Sequence, residues 1–359
     1  MTAGLKIKEQ VSLAPMTTFR VGGSARYFAE VENESELSEA LDFAEAQGLP
    51  IFILGGGSNI LVSDAGFNGL VIRIAMKGIS LMDVPGREDT ALVTARAGED
   101  WDEFVEWCVA NELAGLECLS GIPGLVGGTP IQNVGAYGQE VSETIVSVRV
   151  LDLEDRLVKD IAGSECGFAY RSSIFNTTAK DRYVVLAVTY ELRKGGKPAI
   201  AYPDLIRVFR DFDPSLAEMR SAVCSIRASK GMMAKQGGAD SHSAGSFFKN
   251  PVVARDEFEE IERRAALLAV AGEGSPVPHF DVPGGGVKIP AAWLIEKSGF
   301  AKGYLKGNAG LSNLHTLALT NRGGASADEV LCLKKEIVER VEELFGVRLV
   351  QEPALIGFD

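Results

Sequence analysis

Two glycine clusters and one serine motif hold the residue types with which this chain could do chemistry. The stretch Gly121 to Gly138, GIPGLVGGTPIQNVGAYG, gathers glycines that a helix or strand interior tolerates only at a cost of about 0.5–1 kcal/mol each relative to alanine. In return, a glycine loop allows positive φ and lets successive backbone N–H groups close around an anion. A run of tight turns punctuated by Pro123 and Pro130 accounts for one such cluster as well as a phosphate cradle does. A second cluster, Leu54-Gly55-Gly56-Gly57-Ser58-Asn59, directly follows the apolar run Ile51-Phe52-Ile53-Leu54. Together the two loops point to a diphosphate held from two sides. The serine lies in Ala244-Gly245-Ser246-Phe247-Phe248-Lys249-Asn250-Pro251. That motif reads either as a strand edge ending in an Asn-Pro turn or as a hydroxyl held rigidly beside a polar, anion-friendly site.

Several other chemistries are excluded. A dinucleotide fingerprint needs G-x-G-x-x-G opening a helix, whereas Gly55 and Gly57 are followed by Ile60-Leu61-Val62, a resumed β-like run. The cradle is therefore expected between strands. His242, His279 and His315 are the only histidines, have no metal-ligand spacing and pair with no nucleophile motif, so no metal site is expected. Five cysteines, Cys108, Cys118, Cys166, Cys224 and Cys332, lack C-x-x-C spacing and fit reduced thiols in a cytoplasmic protein. The net charge of -13 argues against nucleic acid as a partner and requires a local basic pocket for any anionic ligand. The N-terminus MTAGLKIKEQ has no apolar leader core, and no run approaches the roughly 20 apolar residues of a bilayer span.

The elements that must carry these motifs can be read in outline. At 359 residues, two or three domains are expected. Asn33 and Glu36 form a capping signature for a helix from Glu34 to Gln47, closed by Gly48. Asp100 and Glu103 start another that ends before Gly115 and delivers the chain into the long glycine loop. Pro85 to Asp89 forms a turn between apolar runs. Ile145–Leu153 and Tyr183–Leu192 alternate as half-buried strands do, flanking a polar-aromatic turn region at Phe168–Phe175. The segment Gly231 to Ser243 reads as an exposed, mobile loop. Beyond it come a charged helix from Asp256 to about Val270, a Gly/Pro-rich loop at 283–286, a short helix between Pro290 and Gly299, and a long helix from Ala327 to Phe345 capped by Ser326 and Glu329.

Seven stretches in order carry a resemblance: TFRVGG (18–23), LGGGSN (54–59), GIPGLVGG (121–128), QNVGAYG (132–138), AYRSSIF (169–175), AGSFFKNP (244–251) and AAWLIEKSG (291–299). Across almost its whole length the chain resembles the UDP-N-acetylenolpyruvoylglucosamine reductases, flavoenzymes of peptidoglycan precursor synthesis. The resemblance implies an α+β fold. An FAD-binding domain of the vanillyl-alcohol-oxidase (PCMH) type comes first, in two subdomains at 1–75 and 76–230. A C-terminal α+β substrate-binding domain follows at 231–346, with the tail 347–359 returning to the first subdomain.

It also implies roles. FAD is expected to be held without a covalent link by Gly55, Gly56, Gly57, Ser58 and Asn59 of the first loop. From the second loop the contributors are Gly121, Ile122, Gly124, Gly127, Gly128, Asn133, Gly135, Ala136 and Gly138. NADPH reduces the flavin and departs, after which the enolpyruvyl ether of UDP-N-acetylglucosamine takes hydride from flavin N5 at C3 and a proton at C2 from Ser246. Arg171 and Glu352 flank the carboxylate as enolate character grows. A guanidinium and a protonated carboxylic acid are suited to that charge. Tyr202, Lys230, Asn250 and Lys297 match substrate-binding positions, Tyr202 in the branch with an extra clamping loop. Some members carry glutamine at position 297; lysine accepts no hydrogen bond, though its charge favours phosphate. Pro353 stands where valine is more usual and restricts Glu352 toward extended geometry. Two rivals are an oxidase of the same flavin superfamily and a nucleotide-sugar binder without flavin. A histidyl flavin tether is excluded in the FAD domain because no histidine precedes His242. The binder would be colourless.

Overall fold

The computed structural model describes residues 5–233, 237–268, 276–282 and 284–358. Two compact units emerge. One comprises Met1–Val11, Ser24–Gly57 and Phe67–Lys235; the other Ser12–Gly23, Ser58–Gly66 and Gln236–Asp359. The chain thus changes unit immediately after Gly57, inside the first glycine cluster.

The first unit is built on two sheets. In the four-stranded sheet, Phe67–Ile74 pairs in parallel with both Ser24–Val31 and Ile51–Leu54, and Ile7–Ser12 lies at the far edge beside Ser24–Val31. Parallel strands of this kind are covered on both faces and read as continuous apolar runs, as the buried Leu70, Val71 and Ile72 do. The crossover helix Glu34–Ala46 presents buried Leu37, Ala40, Leu41 and Ala44 to this core. Its N-cap Asn33 accepts the N–H of Glu36 at 2.9 Å, while the Glu36 carboxylate takes the N–H of Glu32.

The second sheet has six strands. Five run in the order Val158–Ala162, Ile145–Asp152, Tyr183–Lys194, Arg87–Arg96, Ile79–Val84, and Leu113–Ala114 also pairs with Tyr183–Lys194. Its named pairs are antiparallel. The turn expected at 85–89 joins Ile79–Val84 to Arg87–Arg96 as a hairpin. Against the sheet lies the helix Trp101–Ala110, capped by Asp100, whose carboxylate accepts the Glu103 N–H. Trp101, Phe104 and Tyr190 form an aromatic cluster with centroids 5.3–6.0 Å apart.

The helix Leu216–Ser229, also in this unit, was not anticipated, although Ser215 and Glu218 spell a capping box that the structure forms. A further short helix, Pro203–Val208, follows Tyr202. Of the loop expected at 231–243, residues 234–236 lie outside the described residues, and Ala239–Ser241 form a single 3-10 turn.

In the second unit the helices Arg255–Leu267, Ala291–Lys297 and Ala327–Phe345 share one core with Phe19, Leu61, Phe247 and Phe248. The long helix begins and ends where the capping residues place it: Ser326 and Glu329 bond each other's backbone, and Gly346 takes left-handed φ of 72°. The charged helix stops at Leu267, short of the expected Val270, which lies outside the described residues. Near the chain's end Ala354–Ile356 pairs in parallel with Ile60–Val62.

Candidate active site

The two glycine loops meet backbone to backbone. A Cβ placed on Gly56 would stand 2.6 Å from Gly124 Cα, and Gly124 itself has φ of 136°, a conformation side chains disfavour. Loop 121–128 is fastened to the helix and sheet beneath it. Trp101 donates its backbone N–H to Gly124 O and its indole N–H to Leu119 O at 3.0 Å. Val126 and Gly127 donate to Glu99 and Ala97, and Thr129 Oγ1 lies 2.9 Å from the Tyr190 hydroxyl. The Gly121 N–H goes to Asp102 at 2.6 Å, and Arg220 holds the same carboxylate at 2.5 Å. The N–H groups of Gly121, Gly127 and Gly128 therefore bond within the protein. Those of Gly55, Gly56 and Gly57 make no turn or loop bond among the described residues.

Gly55 and Gly128 differ from their neighbours. Neither lies in the positive-φ region, and a Cβ on either would meet nothing within 4 Å. Nothing in the chain's own packing requires glycine there. A bound group can occupy the open space beside both, and the two loops fit a diphosphate there.

Residues 133–140 are a tightly satisfied turn. Buried Asn133, with φ of 46°, donates to Glu140 and to Ala169 O and accepts the Ser142 N–H. Gly135 and Ala136 pair with Gln139 and Glu140, leaving room beside Gly135 for Arg171. The Arg171 guanidinium donates to Gly135 O at 2.8 Å and lies 5.3 Å from the Tyr170 ring centre, and Arg171 has φ of 53°. An arginine in left-handed geometry marks a backbone held by its surroundings. Here Ala169 and Ser172 exchange backbone bonds and Asn176 Nδ2 donates to Arg171 O.

Next to this turn the unit gathers an aromatic and cationic cluster. Tyr137 and Tyr202 pack edge to face with ring centres 5.3 Å apart. The Lys230 ammonium lies 5.8 Å from the Tyr137 ring centre and pairs with Asp204 at 3.2 Å. Burial pushes the Tyr137 phenol up to about 12, against the pull of Arg227, and burial also raises Tyr202. Both phenols stay neutral donors at physiological pH. Arg227 is buried, donates to Met232 O at 2.8 Å and has its pKa lowered by desolvation. The sequence reading passed over it; the signal was an arginine three residues before Lys230 on the buried side of an unrecognised helix. Lys230 is thus held between the Asp204 carboxylate and the Tyr137 ring.

In the second unit, residues about a hundred apart in sequence come together. Phe248 bridges Gln351 in antiparallel fashion, Lys249 donates to Val350 O, and Glu352 donates to Phe247 O at 2.9 Å. Ser246 and Glu352 are thus carried on adjoining backbones. Asn59 fastens the far side of Glu352: its side chain donates to Glu352 O and its carbonyl accepts the Ala354 N–H. Buried Pro353, which offers no N–H, sits between these two bonds. Asn250 has a structural duty, accepting the N–H of Ala291 at the start of the helix that ends at Lys297. Ser58 O accepts from the Thr18 hydroxyl.

Comparison with known proteins gives consistent matches. Residues 25–160 match the family model described as FAD binding domain, and residues 237–356 match that of the UDP-N-acetylenolpyruvoylglucosamine reductase C-terminal domain. The chain is 45% identical to the UDP-N-acetylenolpyruvoylglucosamine reductase of Thermobifida fusca over 97% of both chains. It is 44% identical to that of Saccharopolyspora erythraea, covering 96% of this chain and 94% of the relative. Among solved structures, the UDP-N-acetylenolpyruvylglucosamine reductase of Thermus caldophilus superposes with a TM-score of 0.65 at 26% identity, covering 98% of this chain and 99% of the other.

Proposed function

The chain belongs to the UDP-N-acetylenolpyruvoylglucosamine reductase family, and from that premise we propose how its residues share the work. The family's reaction is the FAD-dependent reduction of the enolpyruvyl ether of UDP-N-acetylglucosamine in peptidoglycan precursor synthesis. Bound FAD would supply the redox chemistry, carrying reducing equivalents from NADPH to C3 of the substrate. Subdomains 1–75 and 76–230 hold it through the facing loops around Gly56 and Gly124, and residues 231–346 carry the substrate side. Tyr202 and Lys230 bind the nucleotide end, the ammonium by charge and the ring by its face. Asn250 and Lys297 lie at the two ends of one helix, Asn250 ordering its start and Lys297 offering charge to phosphate.

Ser246 gives the proton that C2 requires. Its hydroxyl is a weak acid, but the enolate formed after hydride arrives at C3 is a strong base, so transfer runs downhill. Lys249 eases the transient alkoxide. Arg171 and a protonated Glu352 stabilise the charge on the substrate carboxylate as it grows. The observation that carries this reading is the backbone bond from Glu352 to Phe247, which sets the Glu352 segment against the Ser246 segment. Among the described residues no helix is long and apolar enough to cross a membrane. The reaction is placed in the cytoplasm by its nucleotide-linked substrate.

The test is spectroscopic. The purified protein should be yellow, release FAD on acid precipitation, bleach with NADPH under anaerobic conditions and regain colour on addition of the enolpyruvyl substrate. Colour retained in the acid pellet would contradict non-covalent binding. Reduced flavin that the substrate fails to reoxidise would contradict the reaction.

A further inference from the structure

Glu117 is 1% exposed, and among the described residues none of its hydrogen-bond partners is a cation. A buried carboxylate is costly unless its oxygens are bonded. Three donors meet it: the Gly115 N–H at 2.7 Å, the Ala199 N–H at 3.2 Å and the Gln139 side-chain amide at 3.4 Å. The neighbouring residues repeat the same connections. Cys118 takes its N–H to the Gln139 carbonyl oxygen at 2.9 Å and its thiol to Ala199 O at 3.4 Å. Ala199 is thus held at both its N–H and its carbonyl by consecutive residues of the turn Glu117–Leu119, which leads directly into the Gly121 loop.

Three residues beyond Ala199 stands Tyr202, the N-cap of helix Pro203–Val208, whose ring packs on Tyr137 beside Lys230. Gly138 leaves the space that Ala201 uses, since a Cβ there would come within 3.1 Å of Ala201 Cβ. The segment 199–202 has no strand or helix of its own. Its course is set by these contacts, and the first of them is made by a buried glutamate.

We propose that Glu117 is a positioning residue for nucleotide binding: by bonding Ala199 and Gln139 it fixes the segment that presents Tyr202 to the UDP moiety of the substrate. The proposal rests on the assignment of Tyr202 to that moiety. It gives the buried carboxylate a function that acts through another residue and away from the reacting carbons.

The test is a double-mutant cycle on the full-length flavin-loaded protein, with UDP-N-acetylglucosamine enolpyruvate as substrate. Glu117→Gln keeps the volume but replaces one acceptor oxygen by a donor that cannot meet an N–H. It should raise KM about tenfold, as loss of a hydrogen bond to a charged group does, with kcat and flavin content within about twofold of the parent. In a Tyr202→Ala background the same substitution should change KM by less than about twofold, because the ring it positions is gone. Ala199→Pro, which removes the segment's N–H while keeping the Glu117 side chain, should reproduce both results and stands in if Glu117→Gln does not fold. Equal effects of either substitution with and without Tyr202 would show a merely structural role and overturn the proposal. An unchanged KM in Glu117→Gln and Ala199→Pro, beside a raised KM in Tyr202→Ala, would overturn it alone. An unchanged KM in Tyr202→Ala would remove the nucleotide assignment on which it rests.

Discussion

The cofactor loops and the tyrosine-lysine cluster lie in the same unit and are built on opposite principles. Around Gly56 and Gly124 the contact is main chain against main chain, with no distance to spare for a methyl group. Around Tyr137, Tyr202 and Lys230 the contacts are made by long side chains that can move by rotamer changes. Backbone cradles suit a group that stays bound through every turnover, since their N–H dipoles cost nothing to reorganise. Side-chain clusters suit a ligand that must enter and leave. The first region should therefore fail abruptly when altered and the second in degrees.

The sharpest test of that contrast is Gly56→Ala. Its Cβ would stand 2.6 Å from Gly124 Cα, backbone against backbone, so relief requires the two loops to part. Overpacking of this kind costs about 1–3 kcal/mol, occasionally more, and because the clash is between main chains the variant should purify colourless or nearly so. Gly128→Ala is the matched control: its Cβ meets no protein atom within 4 Å, so thermal stability of the flavin-free protein should be unchanged while flavin affinity falls. Normal flavin content and melting temperature in Gly56→Ala would show that the loops are looser than their geometry.

In the second region Lys230→Ala should act by degree. Losing a charged hydrogen bond of about 1.5–3 kcal/mol raises KM for the UDP sugar roughly 10- to 150-fold, while flavin reduction by NADPH slows less. Stopped-flow reduction beside steady-state kinetics separates the two, and an unchanged KM would remove Lys230 from the nucleotide site.

A smaller effect, outside both regions, provides a baseline for stability alone. Arg182 and Lys159 hold buried Asp152 well below the usual carboxylate range, and Glu154 donates its N–H to it. A depressed folded-state pKa contributes stability above the ordinary value near 3.9 and loses it as pH falls through the lowered one. Asp152→Asn should therefore melt lower at pH 7 and lose less on acidification below about pH 4, with KM and flavin content unchanged. Thermal scans across that window decide it; equal acid sensitivity in parent and variant would contradict the assignment.

Much of this was readable from residues with a fixed local rule. Asn33, Asp100 and Ser326 cap helices by accepting the backbone N–H three residues on, in each case that of a glutamate. The two glycine loops could be paired because glycine serves no purpose in bulk there. What escaped the sequence was long-range. Nothing local tells Gly56 that Gly124 lies against it, or Ala199 that a buried glutamate 82 positions earlier takes its N–H. Ser246 and Glu352 could be singled out from their motifs, yet their adjoining backbones depend on the bridge between Phe248 and Gln351. Helix Leu216–Ser229, and with it the buried Arg227, went unread although Ser215 and Glu218 spell its cap.

The central claim is that Ser246 protonates C2 after hydride transfer, and rapid mixing of pre-reduced Ser246→Ala with the enolpyruvyl substrate tests it most directly. General acid catalysis is worth about 10²–10⁴ in rate. Reoxidation of the flavin by substrate should slow by at least that order while FAD content and reduction by NADPH stay close to the parent's. Reoxidation at near the parental rate would contradict the assignment and place the proton donor elsewhere.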